Sequence, residues 1–397
     1  MKNSIFLLLI TVTSLFAQPT FELAKVNQVE TSKNTVTCTV HKQGDGYFLY
    51  SGGDSKWLDA FEIAADGSLT HIESYETTKT GKRTGLRGIV TDVVHGKTLL
   101  FAGLKGEEAI EVYEIKNSGK LKRVHITNDT DSTYLQRVIT LQVVHMQEGS
   151  YLFAGGLETK PGMTSYKILP DGSLEHVMSI ADSEELYIDG IIGMSIHTIG
   201  GKTYLFTGGF QDNGVGSWLV NEDGTFENVS NIGDDYTLFL NGTYPVISST
   251  IKDWNFVVVG HRHHSYYNPT PWVKDRFSYY YHGDAVSVFW VDPSGKLVPR
   301  SAFIGNAETL IKGQTRLQRL PWNKEYDLVA AATRDDQSIQ LCTLNERGRL
   351  TGAGKLDLGF EVYYGLTGAK IGDDLFLFAG SVNGKELISY RLDQEEK

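Results

Sequence analysis

The feature that most restricts this chain is a short apolar stretch ending in a small residue, which returns seven times. The copies are Tyr47-Phe48-Leu49-Tyr50-Ser51-Gly52, Leu99-Leu100-Phe101-Ala102-Gly103, Tyr151-Leu152-Phe153-Ala154-Gly155, Tyr204-Leu205-Phe206-Thr207-Gly208, Phe256-Val257-Val258-Val259-Gly260, Asp327-Leu328-Val329-Ala330-Ala331 and Phe376-Leu377-Phe378-Ala379-Gly380. Their last residues step by 51, 52, 53, 52, 71 and 49 along the chain. Downstream of most copies comes a turn: Asp66-Gly67-Ser68-Leu69, Asp171-Gly172-Ser173-Leu174 and Asp223-Gly224-Thr225-Phe226, with Gly119, Gly295 and Gly348 in the same place elsewhere. Glycine suits a tight hairpin because it accepts positive φ without penalty. Six residues before each turn glycine stand Phe61, Tyr113, Tyr166, Trp218, Phe289 and Cys342. Side chains alternate along a strand, so this column points to one face, expected to be the packed one.

Each unit reads as four strands, and a four-stranded sheet of this size needs neighbours to bury its faces. Seven such units predict an all-β fold, a seven-bladed β-propeller. The seventh unit stops after its third strand, Leu387 to Leu392, while an orphan strand, Phe21 to Val29, precedes the first. The orphan is predicted to become the outer strand of blade seven, closing the ring and removing an open edge. Cys38 then falls in the innermost strand of blade one and Cys342 in the third strand of blade six. A disulfide needs Cα atoms within about 7 Å, so none is expected.

The start Met1-Lys2-Asn3, the apolar run Ile5 to Phe16 and the small Ala17 read as a signal peptide over residues 1–17. The run is short for a membrane span. The expectation is a secreted or periplasmic monomer whose residues 18–397 form one propeller domain. A net charge of −11 argues against nucleic acid and anionic membranes as partners.

The step of 71 places an insertion after the second strand of blade five. It runs from His261 to Gly283 and holds His261-Arg262-His263-His264-Ser265-Tyr266-Tyr267 and Tyr279-Tyr280-Tyr281-His282. Long aromatic loops on a rigid scaffold are where function concentrates. Residues leading into the inner strands are expected at the same mouth: Arg87, Arg137, Asp189, Asn241, Arg316, Tyr363 and Tyr364. Arg87 and Arg137 each stand eight residues before a histidine, His95 and His145, and read as equivalent positions. His41, His95, His145 and His197 recur near the far ends of four inner strands. They leave a structural divalent metal open, although no cofactor is expected.

Histidine and tyrosine can move protons, and arginine forks hold carboxylates. His263, His264, Tyr280, Tyr281 and His282 are the catalytic candidates; Arg87, Arg137, Asp189, Trp272, Arg316 and Tyr364 are the substrate-binding ones. This residue set on a secreted propeller resembles that of propeller-type polysaccharide lyases such as ulvan lyases. The resemblance implies β-elimination on an anionic, uronate-containing oligo- or polysaccharide. Tyr166 to Leu174, reading Tyr-x-Ile-x-x-Asp-Gly-Ser-Leu, is similar to the blades of lactonase-type propellers, the 6-phosphogluconolactonase group. That resemblance implies the same fold and lactone hydrolysis. Where that group has Pro-Arg-His at an inner strand, this chain has Leu86-Arg87-Gly88 and Gln136-Arg137-Val138. A propeller that binds carbohydrate or protein without turnover is the third reading.

Overall fold

The computed structural model describes residues 19–77, 85–106, 108–157, 160–234, 238–262, 285–306, 308–309 and 311–395. Among these, every regular element is a strand, and the strands form seven four-stranded antiparallel sheets arranged as a β-propeller. In blade one the order from axis to rim is Thr37–Gln43, Gly46–Gly52, Trp57–Ile63 and Leu69–Glu76, and blades two to six repeat it. Blade seven is built from both ends of the chain. Leu366–Ile371, Asp374–Gly380 and Glu386–Gln394 are followed outward by Phe21–Glu30. The pairing runs antiparallel from Phe21 opposite Gln394 to Glu30 opposite Glu386, as the orphan strand predicted.

Seven apolar cores lie one at each junction between blades. The aromatic column fills them: Phe61, Tyr113, Tyr166, Trp218 and Phe289 are buried, and Cys342 takes the sixth place. Cys38 belongs to the core between blades seven and one and Cys342 to that between blades five and six; both thiols are free.

Two devices repeat that the strand pattern alone does not reveal. Beside each column residue the outer strand carries one extra residue. Opposite Ala60 and Phe61, for example, stand Glu73 and His71, so Ile72 is unpaired. Such bulges sharpen the twist of the sheet, which lets flat blades pack round a ring. The second device is the hairpin glycine, whose positive φ brings it against the preceding blade. A Cβ on Gly67 would strike Phe376, on Gly119 Phe48, on Gly224 Tyr151, on Gly295 Tyr204, and on Gly348 Phe256. Hydroxyls secure the same contact: Ser389 donates to the carbonyl of Gly67, Ser165 to Gly224 and Ser217 to Gly295.

At the axis, Val36, Ile139, Leu157, Ile192, Phe210, Tyr244 and Tyr364 form an eighth apolar cluster, drawn from five blades. It stands at the end of the ring where the inner strands begin.

Candidate functional site

The site is generated by one position per blade, one or two residues past the end of the second strand. In six blades its N–H donates to the carbonyl of a residue leading into the inner strand of the same blade. The bonds are Lys105 to Gly85, Leu157 to Gln136, Phe210 to Gly190, Arg262 to Gly242, Arg334 to Gly313 and Val382 to Glu361. In blade one the Asp54 N–H donates instead to the Asn34 side chain. A local backbone bond thus pins seven side chains round one mouth. Six of them, Asp54, Leu157, Phe210, Arg262, Arg334 and Val382, line a cavity of about 500 Å³. The inner strands and the segments leading into them add Arg87, Arg137, Ile139, Ile192, Tyr244, Tyr363 and Tyr364.

The floor is apolar and the walls are cationic. Arg262 lies between two phenol rings, 5.0 Å from the Tyr244 centroid and 4.9 Å from that of Tyr363. Its guanidinium donates to Tyr244 Oη at 3.1 Å and to Tyr363 Oη at 3.2 Å. Burial opposes its charge, but Tyr244, Tyr363 and Tyr364 outweigh that and raise its pKa. The Tyr364 hydroxyl donates to Tyr244 Oη at 2.6 Å, and the two rings stack at 5.3 Å, 8° from parallel. Tyr244 Oη therefore accepts from both Arg262 and Tyr364, and its own proton is left to point elsewhere. Burial, then Tyr244, holds the Tyr364 phenol well above its usual range.

Across the cavity, Arg87 meets Asp54 at 2.6 Å, and Lys105 reaches the same carboxylate oxygen at 3.0 Å. Burial pushes Asp54 upward, but Arg87 and Lys105 hold it below the ordinary carboxylate range. Arg334 Nε lies 3.7 Å from Glu361. Four arginines from four blades thus converge on one cavity, Arg87 facing Asp54 and Arg334 facing Glu361.

Of the residues expected at this mouth, Arg87, Arg137, Tyr363 and Tyr364 line the cavity. Arg87 and Arg137 are not equivalent, however. Gly88 pairs with Gly103 and Thr140 with Gly155, so the counterpart of Arg87 is Ile139. A bulge at Arg87 adds a residue to the blade-two strand, and Arg137, at φ 50, stands in the loop before its own strand. Counting back to a histidine failed because His95 stands beyond the last paired residue, Val94, whereas His145 still pairs with Ser150 inside its strand. Arg316 is not among the residues lining the cavity; burial lowers its pKa, against the opposing influence of Cys38 and Tyr364. Asn241, expected at the same mouth, is buried.

Asp189 is not among the residues lining the cavity. It groups with Asp182 and Asp212, whose carboxylate oxygens lie within 4.8 Å of one another, the only described trio of acidic, histidine or cysteine ligands with metal-like spacing. Burial, then Asp212, pushes both Asp182 and Asp189 up to about 7. Two of the three have structural tasks: Asp212 accepts the Asp189 N–H at 2.7 Å, and Asp182 accepts the Ile188 N–H at 3.2 Å. Asp129 and Asp234 cap the N–H groups of Leu135 and Leu240 in the same way between other blades.

The histidines of the inner strands do not converge. His95 Nε2 meets the Ile168 carbonyl, His145 Nε2 faces Asp92, and His197 Nε2 meets Asn255. Each spans to a neighbouring blade. His261, the first residue of the insertion, is buried against Ser287, and burial lowers its pKa to about 3. His263, His264, Trp272, Tyr280, Tyr281 and His282 lie outside the described residues.

The sequence reading passed over Tyr244, Arg262 and Arg334. Tyr244 was findable, because it occupies the repeat position already marked by Arg87; Arg262 and Arg334 stand after the second strand, a position the repeat reading did not mark. The sequence matches no family model and no curated protein. The chemistry is therefore read from the site itself.

Proposed function

We propose that the arginine-lined mouth binds the carboxylate of an anionic saccharide, and that the protein is a secreted lyase cleaving a uronate-containing chain by β-elimination. The observation that carries this reading is the fixed guanidinium of Arg262, clamped between Tyr244 and Tyr363 and joined at the same cavity by Arg87, Arg137 and Arg334. Arginine binds carboxylate through two parallel hydrogen bonds, and a stacked guanidinium loses little freedom in doing so. In the reaction a base removes the proton α to the carboxylate. The electron pair forms the C4–C5 double bond, the C4–O bond breaks, and the departing oxygen takes a proton. Arginines facing the carboxylate would stabilise the charge that builds on it as the α-proton leaves. Tyr244, with two donors on its oxygen, is the described residue suited to pass a proton at that point. His263 and His264 follow Arg262 directly in the sequence and remain the candidate bases.

The test is the absorbance of the unsaturated product on polygalacturonate, alginate and sulfated uronans. Turnover lost in Arg262→Ala and Tyr244→Phe supports the reading; no product from any of these polymers sinks it. Binding without turnover is the second reading. It draws on the Tyr364 phenol, which burial keeps protonated and so unfit as a base. Retention of an intact polymer by a protein that generates no product would favour it. Acid release from simple lactones would instead indicate the lactonase chemistry.

A further inference from the structure

The repeat breaks in one place away from the mouth. At the outer-strand bulge six blades place an aliphatic residue: Val26, Ile72, Val124, Val177, Val229 and Ala353. Blade five places Arg300 there. The next blade departs beside it. Its hairpin reads Arg347-Gly348-Arg349, where five other turns carry Asp or Ser before the glycine and Ser, Thr or Lys after it. The stem of Arg300 lies against Gly348, and its Nε donates to the Arg347 carbonyl at 2.8 Å. The three side chains are exposed, and among the described residues none has a carboxylate within salt-bridge distance. Together with Phe303, Ile304 and Thr351 they line a groove of about 440 Å³ between blades five and six. On the same blade, outside the groove's lining, Trp254 is 47 % exposed and stands edge-on to Trp290, their centroids 5.7 Å apart. Trp290 pairs with Val298, two residues before Arg300.

We propose that this groove is a second binding surface, for an extended anionic polysaccharide lying across the outside of blades five and six. Three guanidinium groups with no carboxylate in salt-bridge contact, in a chain of net charge −11, select an anionic occupant. The exposed indole selects a saccharide over an acidic peptide, since a sugar ring offers a flat C–H face to a flat aromatic one. The surface is distinct from the mouth and does not rest on the reading given for it.

The experiment measures polymer binding in an Arg262→Ala background, which removes the clamped guanidinium of the mouth. Its probes are polygalacturonate, poly-L-glutamate and neutral dextran at equal ionic strength. Polygalacturonate should bind, and neutral dextran should not. Trp254→Ala should weaken binding about tenfold. Arg347→Ser with Arg349→Ser should weaken it similarly and flatten its salt dependence; both side chains are exposed, so folding is kept. Poly-L-glutamate bound as tightly as polygalacturonate, or both sets of variants binding like their parent, overturns the proposal. Loss of turnover in Arg262→Ala alone tests the mouth, so the two readings fail separately.

Discussion

At the scale of single residues, the clamp on Arg262 and the Asp182–Asp189–Asp212 group make opposite demands on charge. Lysine at position 262 would keep the charge but lose the planar fork and the stacking on two phenols. We expect Arg262→Lys to weaken binding of a monomeric uronate about ten- to hundredfold, read by calorimetry. The acidic group behaves differently. Burial and mutual repulsion raise Asp182 and Asp189 to about 7, so the folded protein holds protons there that the unfolded chain releases near the usual carboxylate value. Stability from this source is complete below about pH 4 and is lost as pH rises through about 7. Asp212→Asn keeps an acceptor for the Asp189 N–H and removes the repelling charge. It should therefore raise the melting temperature at pH 8 more than at pH 5; an equal shift at both would show that the repulsion is not what raises these groups. None of this was legible in the sequence, because Asp212 reaches Asp189 only through the fold. Arg87 was legible, since its repeat position alone carries it to the mouth.

At the scale of the element, the hairpin glycine has two separate reasons to be glycine, and they can be told apart. Gly224 has φ +81 and presses on Tyr151, whereas Gly44 has φ +58 and faces open space. Gly44→Ala should cost only the backbone strain, about 1 kcal/mol. Gly224→Ala adds overpacking against a buried ring, for about 2–4 kcal/mol in all. Denaturant melts of the two variants check this, with equal losses ruling out the wedge. The turn glycine and the aromatic column were both readable in the sequence. Their contact with the blade before was not, because strand periodicity assigns a face but does not say which neighbour covers it. The bulge beside the column was hidden for a related reason: one extra residue in an outer strand leaves the local alternation intact on either side.

At the scale of the whole molecule, the ring is sealed by the pairing of Phe21–Glu30 with Glu386–Gln394. Removing residues up to 30 would strip blade seven of its rim and uncover the core that Phe21 shares with Leu392 and Trp322. We expect such a truncation to abolish the single cooperative melt and to aggregate through the bared edge, as followed by calorimetry and light scattering. A truncated protein that melted like the full chain would mean that the seal is dispensable. Blade count and closure followed from spacing, because seven equal units with a missing strand at one end and a spare at the other admit one economical ring. The mouth's walls followed only in part: Arg87, Arg137, Tyr363 and Tyr364 were expected there, whereas Tyr244, Arg262 and Arg334 were not, since the walls assemble from places far apart in the chain.

The apolar cluster at the axis, from Val36 round to Tyr364, has one more consequence. It makes the mouth a cul-de-sac. Under the lyase reading proposed above, only a terminus or a bend of the polymer would reach Arg262. The fragment left after cleavage would then have to retreat along the path by which it came, in competition with the next arrival, and would itself act as the inhibitor.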